Sequence, residues 1–223
     1  WFAALATLIA GCATVVQVRH RLTSVAVRRF FTRIWRPLAA AGLGFALLMV
    51  PFALTYLPTL RNVGGRRFSD AYYYSPGPAD LVNVSDGNLF WGGTLQRLYE
   101  RPARASNFEL ATAVTPLMVV TVLVCAVLVI IRLRGQRTVV AHAARSLLVT
   151  AVVLSLLPVH IGTVTLWSAV WMLPGATGIR AIGRVQVLNS LVASLAIVAA
   201  LTALSASTAS AAARGWKRHL VAV

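Results

Sequence analysis

Long runs of apolar residues, separated by shorter polar segments, are the main pattern of this chain. A helix that crosses the hydrocarbon core of a membrane needs about 20 apolar residues, with a range of roughly 17 to 25. Five runs approach or reach that length, and the pattern therefore predicts about five membrane-spanning helices. The predicted spans cover residues 1–18, 38–57, 111–131, 146–164 and 185–206.

The segments between the runs, and the segment after the last run, differ in charge. Three of them carry arginine or lysine and no acidic residue, namely 19–37, 132–145 and 214–223. Cytoplasmic loops of membrane proteins are enriched in Lys and Arg, so these three segments are predicted to be cytoplasmic. The other two, 59–110 and 165–184, are then predicted to be outer loops.

The composition indicates the same class of protein. The chain is 58% hydrophobic and 12% charged, whereas a soluble domain carries about 25% charged residues. A net charge of +16 would also suit a nucleic-acid-binding protein, but such proteins concentrate their charge on one face of a soluble domain. Because the arginines here lie between apolar runs, no nucleic-acid partner is predicted. The predicted fold is an all-α polytopic transmembrane bundle in the cell membrane, with one transmembrane domain over residues 1–223.

The first basic segment has a helical pattern of its own. Over residues 21–36, the arginines fall on one side of a helix drawn at about 100° per residue, and Phe30, Ile34 and Trp35 fall on the other. A basic amphipathic helix of this kind lies in the membrane interface and contacts anionic lipids. Residues 21–36 are therefore predicted to form an interfacial helix, which either sets the topology or responds to lipids.

The outer loop 59–110 holds every acidic residue of the chain: Asp70, Asp80, Asp86, Glu100 and Glu109. Loops longer than about 12–15 residues are usually functional, structured or disordered. Asp80 and Asp86 are candidate catalytic residues, because a carboxylate within hydrogen-bond reach of a hydroxyl acts as a general base. A carboxylate is also a ligand for a divalent metal. The sequence holds no cluster of metal-ligand residues, and it does not indicate which cofactor the protein binds. The alternative is that each Asp caps a turn or pairs with a nearby arginine.

The second outer loop ends in two arginines four residues apart, Arg180 and Arg184, directly before the last predicted span. Residues four apart lie on one face of a helix, and a guanidinium binds phosphate through two parallel hydrogen bonds. The pair is therefore a candidate site for a lipid phosphate. The alternative is that both side chains extend to the membrane interface.

The pattern Leu-Pro-Gly-x-x-x-Ile-Arg-x-x-x-Arg over residues 173–184, between two apolar runs, resembles the C-terminal part of bacterial multi-spanning proteins related to the GT-C class of membrane glycosyltransferases. The loop pieces 74–81 and 88–92 are similar to the large outer loop of those proteins. The resemblance implies transfer of a sugar from a polyprenyl-phosphate donor to an acceptor on the outer face. Membrane lipids and the polyprenyl-phosphate sugar are the partners that it implies. It also implies that the main catalytic Asp lies in an earlier outer loop, outside this chain.

Two other functions stay open at this point. A transporter or flippase of a lipid-linked substrate would carry ionisable residues inside its spans, and the predicted spans have only His160, near an edge. A non-catalytic membrane subunit would need only the outer loop. The chain begins at Trp1 inside an apolar run, which predicts that it is a piece of a longer protein.

Overall fold

A computed structural model describes residues 2–19, 24–63, 67–84, 88–94, 114–173, 176–179 and 182–221. Three helical stretches are long and apolar enough to cross a membrane: Trp35–Thr55, Val139–Leu156 and Ile182–Thr208. Two shorter apolar helices have 17 residues each. The chain is therefore a mostly helical membrane protein, as the sequence predicts, and the count of five spans stays a prediction.

The described elements follow one another in a simple order. The helices are α1 (Phe2–Val18), α2 (Ser24–Val63), α3 (Phe68–Tyr73), α4 (Pro116–Arg132), α5 (Val139–Leu156), α6 (Trp167–Trp171) and α7 (Val185–Val221). Short 3-10 turns lie at Pro78–Val82, Ala176–Gly178 and Ile182–Arg184. Strands β1 (His160–Ile161) and β2 (Val164–Thr165) form an antiparallel hairpin after α5.

α2 joins two segments that the sequence treats separately. Residues 24–36 of the predicted interfacial helix and the predicted span 38–57 belong to one continuous helix from Ser24 to Val63, with Pro37 inside it. Its 40 residues extend over about 60 Å, twice the hydrocarbon thickness of about 30 Å. A large part of α2 therefore projects beyond any single membrane crossing. The position of its basic part in the interface stays a prediction.

α5 begins earlier than its predicted span, which starts at residue 146. Thr138 is the N-cap, and its hydroxyl accepts a hydrogen bond from the Ala141 N–H at 3.2 Å. Arg145 is tolerated inside the helix because its guanidinium donates to two carbonyls just beyond α4. These carbonyls belong to Leu133 and to Gln136, the latter at 3.1 Å. The helix thus begins before the predicted span, because the charge of Arg145 does not end it.

α5 also ends earlier than predicted, at Leu156 rather than at residue 164. Pro158 lacks the N–H that would donate to the Leu154 carbonyl one turn back, so the helical hydrogen-bond ladder stops there. The chain then reverses through Gly162, whose φ of 60° lies in the left-handed region that glycine adopts easily. The end of the predicted span is therefore a hairpin.

The core of the bundle is the contact between α5 and α7, with α1 packed on α5 and α4 packed on α7. Small buried residues recur along both helices, at spacings of three and seven on α5 and of three, four and three on α7. They are Ala141, Ala144 and Ala151 of α5, and Ala193, Ala196, Ala200 and Ala203 of α7. Small side chains let helix backbones approach closely, which is how helices associate in a membrane. We call this set the alanine seam.

The outside of the bundle is apolar. Large hydrophobic side chains such as Ile130 of α4 and Val198 of α7 are exposed. None of the described side chains of α2 between residues 35 and 55 is buried. A soluble protein rarely exposes so much contiguous apolar surface, whereas a lipid environment favours it.

Candidate functional site

Residues 67–84 of the outer loop 59–110 are attached to the end of the bundle where α5 finishes. The Ser75 hydroxyl donates to the Pro158 carbonyl, and the His160 N–H donates to the Pro76 carbonyl at 2.9 Å. The His160 Nδ1 lies 2.9 Å from the Ser75 carbonyl oxygen. A carbonyl oxygen only accepts, so Nδ1 carries the proton in this contact. We call the end formed by residues 67–84 and 157–173 the loop end of the bundle.

Aromatic side chains complete this attachment. The Tyr72 hydroxyl donates to the Gly162 carbonyl, and the Tyr72 ring centroid lies 5.2 Å from that of His160. Phe68 packs edge-on against Trp171 with centroids 5.6 Å apart. Such aromatic pairs contribute about 0.5–1.5 kcal/mol beyond their buried area. Residues 67–84 are therefore a packed part of the fold.

Asp80, a candidate catalytic residue, is buried inside this loop. Its side chain is 2% exposed, and its Oδ2 accepts a hydrogen bond from the Gly77 N–H at 2.7 Å. Gly77 directly precedes the 3-10 turn Pro78–Val82, so the carboxylate caps the start of that turn. This geometry matches the capping alternative that the sequence leaves open.

The other candidate residues are placed differently. Asp86 and Arg180 lie outside the described residues. Arg184 is exposed and ends the 3-10 turn directly before α7, between the buried residues Ile182 and Val185. Its buried neighbours thus fix the backbone at a residue that is itself exposed.

Asp80 and Arg184 belong to the same end of the bundle. The loop that holds Asp80 is bonded to Pro158, directly after α5. The start of α7 is bonded to the same region, because the Gln186 Nε2 donates to the Ser155 carbonyl at 3.0 Å. The structure therefore brings the first loop and the Arg184 turn to one end of the bundle.

A polar cluster inside the α5–α7 contact is absent from the sequence-based candidates. The Asn189 Nδ2 donates to the Ser155 hydroxyl at 2.8 Å and to the Gln186 Oε1 at 3.0 Å. The Asn189 Oδ1 is buried and has no hydrogen-bond partner among the described residues. Two amides three residues apart in an apolar run are the signal that would have revealed this cluster.

A second polar cluster joins α1 to α5 at the other end. The Ser146 hydroxyl lies 2.9 Å from the Thr14 hydroxyl and accepts a hydrogen bond from the Gln17 Nε2 at 2.9 Å. The His142 Nδ1 lies 3.0 Å from the Gln17 Oε1. Residues 139–145, which belong to a predicted cytoplasmic segment, form the first turns of α5.

The described residues bring no three His, Cys, Asp or Glu side chains together as a metal site. Comparisons of the chain with known protein families, with curated proteins and with solved structures found no match. The function must therefore be argued from the residues of this chain alone.

Proposed function

We propose that this chain forms part of a membrane glycosyltransferase that takes a sugar from a polyprenyl-phosphate donor. Under this proposal, Arg180 and Arg184 bind the phosphate of the donor, and the loop end of the bundle faces the acceptor. The observation that carries the proposal is the position of Arg184. This exposed residue lies at the start of α7, at the same end as the packed loop.

The chemistry of Arg184 supports a phosphate ligand. A guanidinium presents a planar fork of donors that matches two phosphate oxygens, and it stays charged at every physiological pH. The start of a long helix adds a partial positive charge at the same place. The apolar flank of α7 below it, including the exposed Val187 and Leu191, suits the hydrocarbon tail of a lipid donor.

Exposed aromatic residues support a sugar ligand at the same end. Tyr73 is 71% exposed and packs edge-on against Tyr74, with centroids 5.0 Å apart. An aromatic ring offers a flat apolar face with a polar hydroxyl at its edge. Such a platform suits a sugar, which also has apolar faces and polar edges.

The proposed topology places the loop end on the outer face. The basic segment 132–145 joins α4 to α5, and the basic segment 214–223 begins near the end of α7. Both are away from the loop. Lys and Arg accumulate on the cytoplasmic side of membrane proteins. We therefore propose that these segments, together with 19–37, are cytoplasmic and that the donor is used on the outer side.

One observation favours the non-catalytic subunit as a second candidate. A buried carboxylate that caps its own turn, as Asp80 does, is poorly placed to take a proton from a sugar hydroxyl. If Asp80 acts only in folding, catalysis in this chain rests on Asp86 or on a carboxylate elsewhere. A chain without such a carboxylate would bind the donor and present the loop without carrying out transfer.

Binding of polyprenyl phosphate to the full chain tests the proposal, with the uncharged polyprenol as the comparison ligand. We expect Arg184→Ala to weaken polyprenyl-phosphate binding about tenfold or more, since a hydrogen bond to a charged group contributes about 1.5–3 kcal/mol. The combination with Arg180→Ala should weaken it further, and polyprenol binding should not change. Arg67→Ala is the matched control, because Arg67 is also exposed at the loop end. Equal affinity of the Arg184→Ala and unmodified chains for polyprenyl phosphate would overturn the proposal.

A further inference from the structure

The end of the bundle opposite the loop is strongly basic. It is defined by four arginines on the end of α4, the following turn and the start of α5: Arg132, Arg134, Arg137 and Arg145. No acidic residue follows Glu109 in the chain. The two acidic residues that the structure describes, Asp70 and Asp80, belong to the loop end. Anions that balance the charge at this basic end must therefore come from outside these helices.

An apolar groove between α4 and α5 opens beside the basic end. Its walls include Ala126 and Ile130 of α4 and Leu148, Val149 and Val152 of α5, and the carbon stem of Arg145 lines one end. The volume is about 230 Å³. Pockets for drug-sized molecules enclose about 300–1,000 Å³, so this groove suits a narrower occupant.

The direction of the groove suits a hydrocarbon chain. From Arg145 to Val152 it follows α5 for about 10 Å, at a rise of about 1.5 Å per residue. Lipid chains run in the same general direction as membrane-spanning helices, with the headgroup at the helix ends. A chain in this groove would therefore place its headgroup near the arginines of the basic end.

We propose that this groove binds one acyl chain of an anionic phospholipid, whose phosphate is held by the arginines of the basic end. Arg145 links the two parts of the site. Two of its five N–H groups donate to the carbonyls of Leu133 and Gln136, which fixes the guanidinium above the groove. The exposed Arg134 and Arg137 add positive charge next to it. Basic pockets between membrane helices are a recurrent mode of anionic-lipid recognition.

This lipid site is separate from the proposed donor site. α5 has 18 residues, so its two ends are about 27 Å apart. A phosphate held at the basic end is thus far from Arg184. Failure of the lipid proposal would leave the donor proposal intact, and the reverse also holds.

Native mass spectrometry of the delipidated full chain provides the test. Phosphatidylglycerol and phosphatidylcholine with identical acyl chains are the two probes, because they differ in headgroup charge. We expect preferential retention of phosphatidylglycerol. Equal retention of both lipids would overturn the proposal.

Substitutions in the groove test where the acyl chain lies. Ala126→Phe fills the groove from α4, and Val149→Phe fills it from α5. We expect both to reduce retention of phosphatidylglycerol. Val127→Phe is the matched control, because Val127 is exposed on α4 and does not line the groove. If both groove-filling variants fold and retain as much phosphatidylglycerol as Val127→Phe, the lipid binds elsewhere. That result would overturn the proposal.

Substitutions of arginine test the headgroup. Arg134→Gln and Arg137→Gln should each weaken phosphatidylglycerol binding roughly fivefold, as expected for one basic residue near an anionic headgroup. Arg19→Gln removes the same charge from the exposed end of α1 and should change little. An equal loss from Arg19→Gln would show that overall charge attracts the lipid, and would contradict a site at this groove.

Discussion

At the scale of single residues, two charged side chains act as caps for backbone groups. Asp80 accepts from the Gly77 N–H, and Arg145 donates to two carbonyls just beyond α4. Each charge forms hydrogen bonds with backbone groups next to the end of a helical segment, where some backbone groups have no partner within the helix. The amino-acid sequence predicts that backbone groups at helix ends need partners. Only the tertiary contacts show that Asp80 and Arg145 bond to such backbone groups.

Tyr72→Phe tests the attachment of the loop to the hairpin. The substitution removes the hydroxyl that donates to Gly162 and keeps the ring next to His160. A hydrogen bond of this kind contributes about 1 kcal/mol, so local opening should become about fivefold more frequent. Limited proteolysis or amide exchange of residues 67–84 in detergent measures this change.

Tyr73→Phe is the matched control for that substitution. Tyr73 is the neighbouring tyrosine, its side chain is largely exposed, and its ring contact with Tyr74 would be kept. We expect no change in opening. If the two variants behaved alike, the hydrogen bond to Gly162 would not hold the loop.

At the scale of elements, the helices differ in how they pack against one another. α5 and α7 associate through the alanine seam and carry a polar cluster at the loop end of their contact. α2 shares no comparable contact with the rest of the described chain, and none of the described side chains of its apolar part is buried. The fold therefore depends on a close contact between two helices, because lipid provides little hydrophobic drive for association.

Ala196→Leu tests the seam. Ala196 of α7 is fully buried in the bundle, so a larger side chain must push the packed helices apart. Overpacking of this kind costs about 1–3 kcal/mol. Reversible unfolding in mixed micelles should show this loss in the free energy of unfolding. Val198→Leu, two residues away on the exposed face of α7, should leave the free energy almost unchanged, and an equal loss in both variants would argue against close packing at the seam.

At the scale of the whole molecule, charge is distributed along the bundle axis. The acids that the structure describes belong to the loop end, and four arginines mark the opposite end. The two ends of the bundle therefore differ in charge. In a membrane, this asymmetry favours one orientation over the other.

Labelling of single cysteines tests the proposed orientation. In a chain with Cys12 and Cys125 replaced by alanine, Tyr73→Cys reports on the loop end and Arg137→Cys on the basic end. With an impermeant maleimide on right-side-out vesicles, we expect immediate labelling of Tyr73→Cys because the loop end faces outward. Arg137→Cys should react only after permeabilisation. The reverse pattern, or equal labelling of both, would contradict the proposed orientation.

The sequence by itself determined the class of the protein and the order of its helices. Run length, charge and proline act within a few neighbouring residues, so they predict apolar helices and the polar segments between them. α5 begins before the predicted span because Arg145 finds its partners in the preceding turn rather than in solvent. A local pattern gives no information about such a partner.

Only the tertiary structure decided how the candidate residues are used. Ser75 bonds to a residue 83 positions away, and the Gln186–Asn189 cluster depends on the approach of Ser155 from another helix. The burial of Asp80 likewise follows from the packing of the loop on the bundle. Hydrogen bonds and burial arise between segments that are distant in the chain. The sequence therefore determined which residues are available, and their spatial arrangement decided which of them cap a turn, hold the loop or face a ligand.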